Sequence, residues 1–118
     1  MRPLAATLPG MPLIYGGQES FFETRLKFFE KDPIDWKDRG LADFYGELLA
    51  RKKRHRALRN GQHGAEAKGV DTGNPAVFRF TRGDRAKRVT VSVNLSGRSQ
   101  ALPLIGGADL GPWGWRIG

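Results

Sequence analysis

A short apolar run stands near the start of the chain, between a Pro-Gly and a Gly-Gly dipeptide. The run covers Met11–Tyr15 and contains no charged residue. Continuous apolar character over so few residues predicts a strand that is buried on both faces, as in a parallel sheet covered by helices. Polar Gln18 and Glu19 follow it, at the carboxyl end of the predicted strand. In parallel sheets and barrels, binding and catalytic residues collect at that end.

The middle of the chain carries a helical pattern. Apolar residues recur at the spacing of one helix face, at Leu41, Phe44, Tyr45, Leu48 and Leu49. The helix is predicted to start near Asp32-Pro33, because aspartate caps free N–H groups and proline suits the first helical position. Before it, residues 20–32 hold two phenylalanine pairs without a regular period, which predicts an irregular loop with aromatic anchors.

The last third of the chain alternates apolar and polar residues with a period of two. Ala76–Arg82 places Ala76, Phe78 and Phe80 on one face, and 88–95 places Val89, Val91, Val93 and Leu95 on one face. A charged loop with Gly83 joins the two as a hairpin. Weaker strands are predicted at 65–70, 100–105 and 113–117, so this part is expected to be a small antiparallel sandwich or meander.

Composition narrows the functional classes. The 118 residues contain no cysteine, which excludes disulfides and thiolate metal sites and fits either side of a membrane. No apolar stretch approaches the ~20 residues of a membrane-spanning helix. The two histidines, His55 and His63, have no partner at metal-ligand spacing, and no metal or cofactor site is predicted.

The net charge of +8 makes nucleic-acid binding the main alternative to an enzymatic role. The basic residues are densest at 51–59, directly after the predicted helix. A basic helix end is usually a solvated face that also favours the helix dipole, and this block lacks the interleaved aromatic residues that stack on bases. Nucleic-acid binding is therefore the less favoured hypothesis.

Several segments resemble, in order, the end of the α-amylase family (glycoside hydrolase family 13). Leu8–Glu19 is similar to the family's eighth barrel strand, whose form is Gly-x-Pro-Leu-Ile-Tyr-x-Gly-x-Glu. The segment 28–36 resembles the loop that follows it in a bacterial subgroup, and 44–53 resembles the last barrel helix. The stretches 76–82 and 89–96 resemble strands of the C-terminal β domain.

The resemblance implies an α+β fragment of an α-amylase-type hydrolase. Residues 1–55 would be the end of a (β/α)8 barrel and residues 56–118 a small antiparallel β-sandwich domain. The implied substrates are α-linked glucans such as starch and maltooligosaccharides, bound through a barrel that this chain does not contain. The family's Asp nucleophile, Glu acid/base and second Asp follow strands four, five and seven, so no catalytic residue is expected here. The calcium dependence of the longer enzyme stays open.

Within the chain, the resemblance implies that Tyr15, Gln18 and Glu19 bind substrate or support the site. Glu19 and Glu23 are the acids whose position first suggests catalysis, but the family pattern makes Glu19 a residue that hydrogen-bonds loops around the site. Trp113 and Trp115 are two apart, so on a strand they share a face. That face either closes the core of the β domain, the favoured interpretation, or stacks on glucose rings.

Overall fold

The computed structural model describes residues 2–22, 24–27, 29–37 and 40–118. Two helices, α1 (Arg2–Thr7) and α2 (Leu41–Arg54), precede four strands, which are β1 (Ala67–Gly69), β2 (Val77–Arg82), β3 (Val89–Asn94) and β4 (Trp115–Ile117). Single 3₁₀ turns lie at Gln18–Ser20, Arg56–Leu58, Gly61–His63 and Arg85–Lys87. The result is a small α+β fold.

The four strands form one antiparallel sheet in the order β1-β2-β3-β4. In the central pair Phe80 lies opposite Val91 and Phe78 opposite Val93, which confirms the predicted hairpin. Val89, Val91, Val93 and Phe80 are buried on one face, against Ala57 and Leu58. Two residues predicted to face inward are partly exposed. Leu95 lies beyond the last residue of β3, and Phe78 packs against the Phe80 ring, with ring centroids 5.5 Å apart, but is 38% exposed.

The other face of the sheet is covered by the long connection between β3 and β4. Leu102 and Leu110 bury Val77 there, with Ile105 packed against them. Within the described residues this gives one antiparallel sheet with consecutive strands adjacent, which is the predicted meander and not the alternative two-sheet sandwich. The predicted strand at 100–105 is reduced to a single bridge between Gln100 and Leu110, because the chain turns at 103–105.

The helix predicted from the apolar stripe is present as α2, but it begins at Leu41 and not near Asp32-Pro33. Gly40 precedes it at φ +70, in the left-handed region that favours glycine. Asp32 caps no helix, because its carboxylate accepts the Lys27 backbone N–H at 3.1 Å and closes a local turn. Of the stripe, Leu48 is buried, whereas Leu49 is 41% exposed.

The apolar run 11–15 belongs to no strand or helix, which corrects the prediction of a strand buried on both faces. Met11 is 83% exposed and Leu13 is 81% exposed. A strand needs neighbours that pair with its N–H and C=O groups, and the described residues supply none for this segment. The barrel unit predicted for residues 1–55 is therefore not confirmed by the structure.

Candidate functional site

The predicted site residues lie on a tight turn that follows the apolar run. The Gln18 N–H donates to the Tyr15 carbonyl at 3.0 Å, and the Gln18 side-chain Oε1 accepts the Tyr15 N–H at 3.1 Å. This pair of bonds holds the two residues together. The Gln18 side-chain oxygen is therefore hydrogen-bonded to the backbone, and the side-chain NH₂ group is left as a donor for a ligand.

Gly16 and Gly17 make this turn possible. Gly17 has φ +90, and a Cβ on it would lie 3.0 Å from the Phe22 Cβ and 3.2 Å from Ile34. A side chain at this position would be both strained and crowded. The two glycines let Ile34 from the following loop pack directly on the turn, which fixes where residues 15–20 sit.

Tyr15 and Gln18 line the same open cleft, of about 740 Å³, with Phe22, Thr24, Arg25 and Lys27. Tyr15 is 58% exposed. The cleft thus combines two aromatic rings, an amide and two cations, a set suited to hydroxyl-rich or anionic groups. The structure brings two of the three predicted site residues together.

Glu19 does not line this cleft. Its Oε2 atom is buried and has no hydrogen-bond partner among the described residues. An unpaired buried carboxylate oxygen costs free energy unless a donor reaches it. Ser20, the next residue, is buried in the same turn. Glu23, the other acid considered, lies outside the described residues.

Two buried cations hold together segments that are distant in the sequence, and the sequence interpretation missed both. Arg82 is 2% exposed and donates from Nε to the Ala65 carbonyl (2.8 Å), from one terminal nitrogen to Thr7 (2.9 Å) and from the other to Arg59 (3.0 Å). The signal was present, because Arg82 is two residues from inward-facing Phe80 and shares its face.

Lys52 is the second buried cation. Its ammonium group donates to the carbonyls of Leu58 (2.9 Å) and Gly10 (3.1 Å). Burial, and then the charge of Arg82, lower the pKa of Lys52 below its ordinary value. Burial also lowers the pKa of Arg82. Both cations are satisfied by backbone oxygens rather than carboxylates, so they hold loops together and offer no chemistry to a substrate.

Gly64 shows how closely Arg82 is surrounded. A Cβ on Gly64 would overlap the Arg59 carbonyl oxygen and lie 2.9 Å from the Arg82 guanidinium. Any larger residue would displace the carbonyl that the guanidinium binds. Glycine is therefore required at position 64, because the Arg59 carbonyl and the Arg82 guanidinium lie too close for a side chain.

The basic residues are concentrated in one part of the chain. Residues 51–118 hold 14 Lys and Arg against 4 Asp and Glu, a net charge of +10, whereas residues 1–50 carry −2. The ion pairs found in the described part, Lys27–Glu30 and Lys37–Asp35, both lie outside 51–118. Apart from Lys52, most of the basic block 51–59 is exposed.

Trp113 and Trp115 do not close the core as favoured from the sequence. Trp113 is 58% exposed and lies in a turn before β4 at φ +54, and Trp115 is 39% exposed on β4 itself. Phe44 of α2 packs edge-on against Trp115, with ring centroids 5.8 Å apart. Both indoles therefore border the junction between the helices and the sheet.

The described residues contain no group of three or more His, Cys, Asp or Glu side chains placed to hold a metal ion. In the same residues, no helix is long and apolar enough to cross a membrane.

No protein-family model matches the chain, and no curated protein matches it in sequence. Among solved structures, the fold is similar to the ligand-free form of cyclic α-maltosyl-(1→6)-maltose hydrolase from Arthrobacter globiformis, with a TM-score of 0.69 and 20% sequence identity. The match covers 98% of this chain but only 28% of the hydrolase chain. Nearly the whole described fold thus corresponds to about a quarter of a larger glycoside hydrolase.

Proposed function

We propose that this chain is the C-terminal region of an α-amylase-type glycoside hydrolase that acts on α-linked glucans. The observation that carries the proposal is the fold match over 98% of the chain to part of a hydrolase. The ordered sequence resemblance of 10–19, 44–53, 76–82 and 89–96 to the end of the α-amylase family supports it independently. The substrate of the similar hydrolase, a cyclic maltosyl-maltose, favours α-linked glucose units.

In this proposal residues 1–55 complete a (β/α)8 barrel and residues 56–118 are the C-terminal β domain. The exposed apolar residues of 11–15 support that assignment. Apolar side chains at positions such as Met11 and Leu13 match a strand whose two neighbours and covering helices lie in another part of a longer protein. The same segment then acquires the hydrogen bonds that it lacks here.

We propose roles for two of the site residues, each supported by one contact or absence of contact in the described residues. The unpartnered Oε2 of Glu19 supports its role as an acceptor for a loop of the missing barrel, not as a catalytic acid. Gln18, with its NH₂ group free of the local turn, faces the cleft beside Tyr15 and is proposed to donate to a sugar hydroxyl.

Catalysis in this proposal is supplied from outside the chain. A retaining glycosidase needs two carboxyl groups roughly 5 Å apart across the scissile bond, one as nucleophile and one as acid/base. Glu19 is the only acid on the proposed barrel strand and its turn, and it is placed away from the cleft. We therefore expect the 118-residue chain to be inactive alone.

The test is to read the coding sequence upstream and express the longer protein. We expect an Asp, a Glu and an Asp on three earlier strands, and release of reducing sugar from maltooligosaccharides by the longer protein. Purified residues 1–118 should release none above a buffer control. An upstream region without these acids, or hydrolysis by the chain alone that is lost in Glu19→Gln, would contradict the proposal.

The second candidate, a basic module that binds nucleic acid, is favoured by the +10 charge of residues 51–118. Phosphate binding by such a surface weakens steeply as salt rises. Binding of a DNA duplex with that salt dependence, together with an upstream sequence that encodes no barrel, would make this the better assignment.

A further inference from the structure

A groove lies at the junction between the helices and the sheet, and it shares Arg2 with a neighbouring cavity that Gln18 lines. Its volume is about 350 Å³, within the range of small-molecule sites. It is lined by Arg2 and Pro3 of α1, Leu41 and Phe44 of α2, and Trp113 and Trp115. Three of these six residues are aromatic, and none is acidic.

The backbone holds Trp113 in an unfavourable conformation while leaving its indole in solvent. Its φ of +54 lies in the left-handed region, which is a steric outlier for a bulky residue. The turn is fixed by hydrogen bonds from the Trp113 N–H to the Ser96 carbonyl (2.9 Å) and from the Gly114 N–H to Gly111 (2.8 Å). Gly97 adjoins the indole Nε1, where a Cβ would lie 3.7 Å away. Strain that presents an exposed aromatic side chain points to a binding role.

Arg2 supplies the polar element of the groove. Its guanidinium lies 5.3 Å from the Phe21 ring centroid and 5.8 Å from that of Tyr45, which orients it by cation–π contacts. Among the described residues, its N–H groups make no hydrogen bond or ion pair. The guanidinium is therefore positioned on aromatic rings with its donors available.

We propose that this groove is a second carbohydrate-binding site, which takes the glucose units of an α-glucan chain. The proposal rests on the proposed function for the choice of an α-linked sugar. A pyranose ring presents C–H faces to the indoles and hydroxyl oxygens to the Arg2 donors. An apolar helix in the same groove would bury the guanidinium without acceptors, which is costly. A nucleic-acid strand would find only one cation in the groove lining for its phosphates.

The test is a titration of the 118-residue chain with maltoheptaose, followed by NMR of the indole N–H signals. We expect saturable shifts of the Trp113 and Trp115 signals and none at Trp36, which is 62% exposed elsewhere in the chain. Trp113→Gly removes one platform and suits the left-handed backbone, so the fold should keep its melting temperature. We expect at least tenfold weaker binding in this variant.

Two further variants distinguish binding in the groove from nonspecific binding of the sugar to exposed indoles. Trp36→Ala, which deletes an exposed indole outside the groove, should bind as the parent chain does. Arg2→Gln should weaken binding several-fold. The proposal would be overturned if maltoheptaose caused no saturable shifts, or if folded Trp113→Gly bound maltoheptaose as tightly as the parent chain. It would also be overturned if a single-stranded oligonucleotide bound at these indoles more tightly than maltoheptaose and in a salt-sensitive way. If the longer protein hydrolyses maltooligosaccharides but the Trp113 and Trp115 signals do not shift, the proposal of a second binding site is wrong and the proposed function stands.

Discussion

Residues 11–15, a continuous apolar run, and residues 89–94, in which valines alternate with polar residues, were both predicted to be strands with buried side chains, yet they lie in opposite environments. Met11 and Leu13 are more than four-fifths exposed, whereas Val91 is fully buried. The difference is in pairing: β3 has a strand on each side, and the 11–15 segment has none among the described residues. An apolar sequence therefore becomes a buried strand only where its hydrogen-bonding neighbours are available.

Amide hydrogen exchange should show the widest gap between the two segments. We expect fast exchange across 11–15 and slow exchange across 89–95 in a monomeric sample, because exchange in the sheet core requires opening close to global unfolding. The difference should approach the whole stability of the chain, which for a small domain is on the order of 5 kcal/mol or more. Slow exchange in both segments would show that 11–15 is paired within this chain and would contradict the truncated-barrel proposal.

A charge in the sheet core should have the next largest effect. Val91→Asp places an unpaired carboxylate among Leu58, Phe80 and the neighbouring valines, and we expect a loss of about 3–5 kcal/mol or failure to fold. Thr90→Asp, on the opposite face of the same strand, should cost less than about 1 kcal/mol. Urea denaturation of both variants measures this, and equal midpoints would mean that the inner face has been wrongly assigned.

The link between the two regions can be weakened at Arg82. Arg82→Met leaves the carbonyls of Thr7, Arg59 and Ala65 without their donor, for which we expect a loss of about 2–4 kcal/mol. Arg79→Met is the matched control on the other face of β2. The Arg79 Nε is buried without a partner among the described residues, so its removal should be neutral or stabilising. Thermal unfolding that ranked the two variants in the reverse order would contradict the assigned contacts.

The smallest effect concerns pH and Lys52. Because its pKa is lowered in the folded chain, the unfolded chain binds more protons in the alkaline range between that pKa and the ordinary lysine value. Stability should therefore rise as pH increases through this range. The slope attributable to Lys52 is the difference between the parent chain and Lys52→Met, followed by urea denaturation at several pH values. An unchanged slope in the variant would show that Lys52 titrates as an exposed lysine.

The elements that could be predicted from the sequence are those whose pattern of apolar and polar residues lies within the element itself. Alternation in 76–82 and 88–95 gave the hairpin, and the apolar stripe gave α2, because each pattern is set by one element's own geometry. The start of α2 was missed, since Asp32 uses its carboxylate in a turn with Lys27 that no capping rule describes. The alternation places Arg82 on the same face as Phe80, but no local pattern contains the carbonyls of Thr7, Arg59 and Ala65 that accept its hydrogen bonds.

The candidate site was predictable only in part for the same reason. The Gly-Gly turn placed Tyr15 and Gln18 together, because consecutive residues on a tight turn must be close. The position of Glu19 away from the cleft depends on how the turn packs against α2 and Ile34. The groove beside Trp113 depends on the left-handed backbone of that residue, whereas the sequence analysis had predicted a strand at 113–117.

The hydrogen bond from Arg82 to the Thr7 carbonyl has a consequence for the order of events during synthesis. The donor follows the acceptor by 75 residues. At about 5–20 residues per second, the ribosome adds the arginine roughly 4–15 s after the threonine. During that interval the first helix has emerged without the partner that ties it to the sheet. Its final docking is therefore a late event, set by translation of the hairpin.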